Sequence, residues 1–354
     1  MQQEKKNTIK QSVLLIALMG IVSGGCGVGS QENKLKTRRQ VNNQARLTAA
    51  TTVTIEVTAN IEISNIPDKL SAFEKAGFSK YVDVFGVHIF STPRTPDAKI
   101  LHVANVMAQY LDNDEDGIPD NPLVLSQLES RNAYLVFPAD EEDFETLDPD
   151  CWHSAGYHHG QFQHAEETRP DFLIDGEIRA QDGQGYDASL EEVLHLITDY
   201  GYANAYPSAF GLERGTMIAN CLDDARCGYF RDVPTDGPHY GYPEGSWFHY
   251  DDETCEYRCM IAEYFYWALT SILGTQDYEG RFDAIKNEWE LNTRELVRSK
   301  DTNIYALLTD PQYKLPTRAP DGDYNPSALP TTVISLIAVE DERDDRSDED
   351  GGED

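Results

Sequence analysis

Basic residues are scarce in this 354-residue chain: 29 Lys and Arg stand against 62 Asp and Glu, a formal net charge of −33. That imbalance argues against nucleic acid and anionic membrane surfaces as partners, since a polyanion is repelled on approach. Long hydrophobic runs are missing as well. The apolar block Val13–Val22 has ten residues, too few to span a bilayer as a helix. No Gly-rich phosphate loop and no Gly-x-Ser-x-Gly elbow is present, so the two commonest motifs of nucleotide and serine-ester chemistry are absent. Nor is there an internal repeat or a long Pro/Ser linker, which leaves the middle of the chain as a single domain, residues 51–339.

What is there begins with a targeting signal, residues 1–25. Lys5, Lys6 and Lys10 form a basic region, Val13–Val22 an apolar one, and Ser23-Gly24-Gly25 leads to Cys26. This resembles a bacterial lipoprotein signal, which implies export and a membrane anchor on lipidated Cys26. Ser23 occupies the place where that signal usually has Leu, so ordinary secretory cleavage stays open. Gly27 after the cysteine implies the outer membrane in a Gram-negative host. Residues 26–50 read as a flexible, solvated tether, and 340–354, nearly all Asp and Glu, as a disordered acidic tail. Five further cysteines follow Cys26. In an oxidising compartment the simplest local disulfides are Cys221–Cys227 and Cys255–Cys259, leaving Cys151 free, with crossed pairings also allowed.

Periodicity predicts strands at Thr52–Ser64, Phe85–Phe90, Tyr134–Phe137, Phe172–Ile174 and Thr331–Val339. It predicts helices at Asp68–Ala76, Lys99–Leu111, Ser189–Tyr200, Tyr257–Leu273 and Phe282–Arg298, with a long Gly/Pro/Tyr loop between the third and fourth. Short strands with long helices indicate an α+β fold, a small mixed sheet packed against helices.

Asp112-Asn-Asp114-Glu-Asp116-Gly117-Ile118-Pro-Asp120 directly follows a predicted helix, and Asn121–Ser130 reads as an exiting one. Side-chain oxygens at alternate positions converge on a hard cation, and the glycine makes the turn. The loop resembles an EF-hand or dockerin-type calcium loop at Asp112, Asp114, Asp116, Gly117 and Asp120, with Ile118 as a further ligand position. It departs where the bidentate acid should stand, at Leu123, so Glu129 or another acid would have to complete it.

Two further features carry chemistry. Glu263 is the only charge between Met260 and Leu273, a stretch apolar all round. A carboxylate there needs a replacement for its lost hydration: Arg258, Lys286, a Tyr hydroxyl or a metal. In Ser189-Leu-Glu191-Glu192-Val-Leu-His195-Leu-Ile-Thr198-Asp199, the residues Glu191, His195 and Asp199 fall on one helical stripe. Leu190, Val193, Leu194, Leu196 and Ile197 take the other side. Ser189 and Glu192 have capping-box spacing, and Tyr200, Tyr202, Tyr206 and Phe210 are placed to cover the polar stripe.

The run Glu-Glu-Val-Leu-His resembles the zincin metallopeptidase signature His-Glu-x-x-His with Glu191 in place of the first His. Ala262-Glu263-Tyr264-Phe265 is similar to the second ligand-bearing helix of the gluzincin branch, notably the anthrax lethal-factor type. The resemblance covers roughly residues 185–270. It implies a zincin-like fold, zinc held by His195 and Glu263 with Glu191 at the altered position, Glu192 as general base and Tyr257 as an assisting tyrosine. Two carboxylates and one imidazole also suit manganese or iron(II), and His249 or the His158-His159 pair offers a further ligand. The expectation is an exported, metal-dependent hydrolase of peptide or protein substrates with a structural calcium site. The alternative is a non-catalytic calcium-binding surface protein on a degenerate scaffold, and a metal-free glycosidase using Glu192 and Glu263 is a third reading.

Overall fold

The computed structural model describes residues 51–52, 61–180, 185–235, 241–326 and 335–336. The signal, tether and acidic tail lie outside them. Residues 61–326 belong to one unit. In the other, Thr51–Thr52 pairs antiparallel with Ser335–Leu336. These pieces are what is described of the strands expected at Thr52–Ser64 and Thr331–Val339, apart from one bridge from Ser64 to Tyr81.

The fold is α+β. Its sheet starts as a hairpin, β1 (Lys80–Val84) against β2 (Val87–Ser91). The two-residue turn puts Phe85 and Gly86 at φ 52° and 86°, the left-handed geometry that matches strand twist. Sequence periodicity finds β2 but misses β1. Two parallel strands follow, β3 (Tyr134–Phe137) beside β2 and β4 (Gly160–Phe162) at the edge. β4 falls in a stretch whose His and acidic residues hide any alternation.

Alternate residues of this sheet feed two cores. Val82, Val84, Val87, Ile89, Leu135 and Phe137 join the main helical core. Tyr81, Phe90, Tyr134 and Val136 face Phe73, Phe78 and Trp152 in a smaller aromatic one.

Seven helices matter for the site: α1 (Asp97–Leu111), α2 (Pro122–Ser130), α3 (Ser189–Leu196), α4 (Met217–Ala225), α5 (Tyr257–Leu273), α6 (Arg294–Lys300) and α7 (Thr302–Leu308). α3 packs on α1, on α5 and on the edge strand β4. α5 is buried from Met260 to Ile272 and stops at Gly274, where φ is 89°. Among the described residues no helix is long and apolar enough to cross a membrane.

Three expectations fail. The helix predicted over Phe282–Arg298 splits into Arg281–Ile285 and α6. Trp289 is fully buried between them, and its neighbours form a ladder instead: His249 N–H donates to Glu288 O at 2.7 Å, Glu290 N–H to Trp247 O at 3.1 Å. The loop before α5 contains α4, capped by Thr216. Cys255–Cys259 is bonded, but Cys221 and Cys227 are free thiols, as is Cys151. Cys221 is buried on α4 while Cys227 sits exposed just beyond it at φ 54°, so the two side chains serve opposite environments.

Candidate metal centre

α3 forms because its apolar stripe, Leu190, Val193, Leu194 and Leu196, is buried in the main core. Its start is held by Asp187, whose Oδ1 accepts from the backbone N–H of Ser189 at 3.2 Å and of Arg169 at 2.9 Å. The capping box is not made. Ser189 Oγ receives Gln163 Nε2 at 3.1 Å, and Glu192 Oε2 instead accepts from Gln161 Nε2 on β4. Past Leu196 the helix widens into a π-helical turn, Ile197–Tyr202, a form that concentrates at functional sites. Gly201 in that turn allows α2 to approach: a Cβ there would lie 2.7 Å from Val124 Cγ1.

This scaffold points His195 at α5. His195 Nε2 lies 3.5 Å from Glu263 Oε1 and 3.9 Å from Glu191 Oε1. One ligand atom from each of the three residues falls within 4.8 Å of the other two. Nε2 is buried yet has no hydrogen-bond partner of normal geometry among the described residues. His195 and Glu263 are buried; Glu191 and Glu192 are half-buried.

The electrostatics describe carboxylates crowded around one imidazole. Burial lifts Glu263 above the usual carboxylate range, against the pull of His195 and of the Tyr250 hydroxyl. Burial alone would lower His195, but Glu263, Glu191 and Glu192 outweigh it and hold the imidazole well above 6.5. Glu192 is pushed up to about 8 by burial, then by Glu191, with Glu263 adding to it. A dication among these groups would replace lost hydration, neutralise the repulsion and give the orphaned nitrogen a partner. One imidazole and two carboxylates suit zinc, manganese or iron(II), so the donor set fits a transition metal.

The other residues fall in different places. Tyr257 is not at the centre. Its hydroxyl donates to Asp223 Oδ1 at 3.1 Å, because six residues along a helix turn it away from Glu263. The tyrosine beside Glu263 is Tyr250, buried in the preceding loop and without periodic signal. Lys286 pairs with Asp283. Arg258 acts electrostatically on Asp199, which burial lifts to about 6. His249 binds Ser246 Oγ at 2.8 Å, and His159 the carbonyl of Arg131 at 3.1 Å. His158 stacks on His153. Tyr202 and Phe210 pack on Phe265, and Tyr200 donates to Gly160 O, so this group does not cover the stripe. The ring beside His195 is that of Tyr266, 5.7 Å between centroids.

In the acidic loop, Asp112, Asp114 and Asp116 offer oxygens close enough for one cation. Asp112 is fully buried, accepts Gly117 N–H at 2.8 Å and the Tyr324 hydroxyl at 2.6 Å, and is raised by burial. Asp120 turns back to Asn113 N–H at 2.7 Å and lies outside the trio. Ile118 N–H donates to Asp116 Oδ1 at 2.8 Å. Glu129 does not complete the loop, for its carboxylate lies against Gly86 in the β1–β2 turn. Comparison with models of protein families, with curated proteins and with solved structures gives no match.

Proposed function

We propose that the chain is an exported, lipid-anchored, metal-dependent hydrolase of peptide bonds with a zincin-like centre and a structural calcium loop. The observation that carries the reading is His195 Nε2, buried without a partner between the carboxylates of Glu191 and Glu263. Zinc bound there supplies Lewis acidity and an acidified water near neutral pH. Glu191, His195 and Glu263 would hold the metal, and Tyr250 steadies Glu263. Glu192, tethered by Gln161, takes the proton of the attacking water and returns it to the leaving amine. Its raised affinity for protons suits that shuttle, and a neighbouring dication would favour the carboxylate form.

Protein purified without chelators is expected to carry one transition metal per chain, lost in His195→Ala, by elemental analysis. Glu192→Gln should keep metal and melting temperature while kcat/KM falls by about 10²–10⁴. Full peptidase activity in that variant rejects the mechanism. A second reading, a calcium-binding surface protein without catalysis, is favoured by the Asp112–Asp114–Asp116 trio. Calcium as the sole bound metal would select it.

A further inference from the structure

Tyr266 joins the metal centre to a second cluster. Its ring is 5.7 Å from that of His195 and 6.3 Å from that of Tyr186. Over Tyr186 lies Arg281, its Cζ 4.5 Å from the ring centroid, and the same carbon is 5.6 Å from the Trp267 ring and 5.9 Å from the Tyr278 ring. The guanidinium thus sits among three aromatic rings. Its Nε donates to Gln276 Oε1 at 2.7 Å, which fixes its plane. Among the described residues no carboxylate lies within ion-pair distance of its terminal amino groups.

Two more donors are left over in the same place. Among the described residues the indole N–H of Trp267, a residue only 6 % exposed, has no hydrogen-bond partner, and the buried Tyr278 hydroxyl finds no acceptor, its oxygen lying beside Arg281. Unmet buried donors are uncommon and ask for an explanation. Apart from Gln276 Oε1, which takes the Nε–H, and the Tyr278 oxygen beside the guanidinium, the described residues supply a cation and two neutral donors here without a carboxylate to match. Arg281 and Tyr186 are half-buried rather than sealed, so the cluster reaches solvent.

A carboxylate is the complement: it accepts only, it is planar, and a guanidinium fork engages both its oxygens. Aromatic walls exclude water and strengthen the pairing. We propose that Arg281, Trp267 and Tyr278 form a carboxylate-binding subsite, which directs the enzyme to peptides carrying an acidic side chain or a free C-terminus next to the cleaved bond. This selectivity rests on the hydrolase reading of the neighbouring centre.

Calorimetric titration tests it on the full exported chain loaded with zinc and carrying Glu192→Gln, so that ligands persist. The probes are Ala-Ala-Ala-Glu and Ala-Ala-Ala-Gln, each with a free and an amidated C-terminus. Any peptide bearing a carboxylate should bind about tenfold or more tighter than the Gln amide. Tight binding of the Glu amide identifies the side chain as the source, and tight binding of the Gln acid identifies the terminus. Arg281→Met should erase the difference with zinc content and melting temperature unchanged. Trp267→Phe, which keeps an aromatic ring but removes the indole N–H together with the pyrrole half of the side chain, should reduce it and decides the matter if the arginine variant does not fold. Equal affinity for all four peptides, or a preference that survives both substitutions, overturns the subsite. Failure of the hydrolase reading shows separately, as missing zinc or missing turnover, while the carboxylate preference remains measurable on the metal-free protein.

Discussion

Asp199 shows how a single buried group reports on the site. Burial lifts it to about 6 from 3.8, with Glu263 adding and His195 and Arg258 opposing, and its Oδ1 has no hydrogen-bond partner among the described residues. Because the folded value lies above the unfolded one, the protonated form is the favoured one. That contribution is fully present below about pH 4 and is lost as pH rises through about 6. Above that, the ionised carboxylate weakens the metal-free fold on the order of 1 kcal/mol. Asp199→Asn is therefore expected to raise the melting temperature by a few degrees at about pH 7.5 and to leave it unchanged near pH 4, by calorimetry of chelated protein. An equal shift at both pH values would mean that the amide acts through packing instead.

At the scale of elements, the widened turn after His195 is held by α2 through Gly201. A Cβ at Gly201 meets Val124 Cγ1 at 2.7 Å and Leu128 Cγ at 3.4 Å. Gly201→Ala should cost about 1–3 kcal/mol by overpacking. It should also weaken zinc binding, since the turn continues the helix that carries Glu191 and His195, two of the proposed ligands. Gly274, at the end of α5, has open space around a Cβ but sits at φ 89°. Gly274→Ala should cost about 1–2 kcal/mol through backbone strain alone and leave zinc affinity intact. Thermal melts paired with competition against a chelator separate the two cases.

For the whole molecule, the charge of −33 sets the response to ions. Self-repulsion relaxes with screening, so the melting temperature should climb between about 20 mM and 0.5 M sodium chloride. Calcium should add a further rise at constant ionic strength, which magnesium does not match, and Asp114→Asn should remove that increment while the calcium-free melt stays put. The acidic loop is also a clasp for residues 317–325. Asn113 Oδ1 accepts the backbone N–H of Thr317 at 2.9 Å and of Arg318 at 3.0 Å, and Tyr324 donates to Asp112. Calcium should accordingly slow proteolysis of that strap, seen by mass spectrometry of limited digests. A cleavage rate indifferent to calcium would dissociate loop filling from the strap.

The sequence by itself determined the elements whose physics is local. α5 is legible from an apolar run with one misfit acid, α3 from its two-sided stripe, and the acidic loop from alternating oxygens around a glycine. The alternation of short strands with long helices pointed to the α+β class, and composition to the excess of negative charge. Only the tertiary structure decided which groups meet. Helical spacing put Glu191 and His195 together, but bringing Glu263 to them depends on α5 crossing α3, a packing outcome. Tyr250, Gln161, Trp267 and Arg281 have no periodic signal, because each lies in a loop, on a short edge strand, on an all-buried helix or at the start of a short one. The capping box was not made because spacing along a helix says which residues share a face, and only packing says what that face touches; Tyr257, implied by resemblance alone, turns to Asp223 for the same reason.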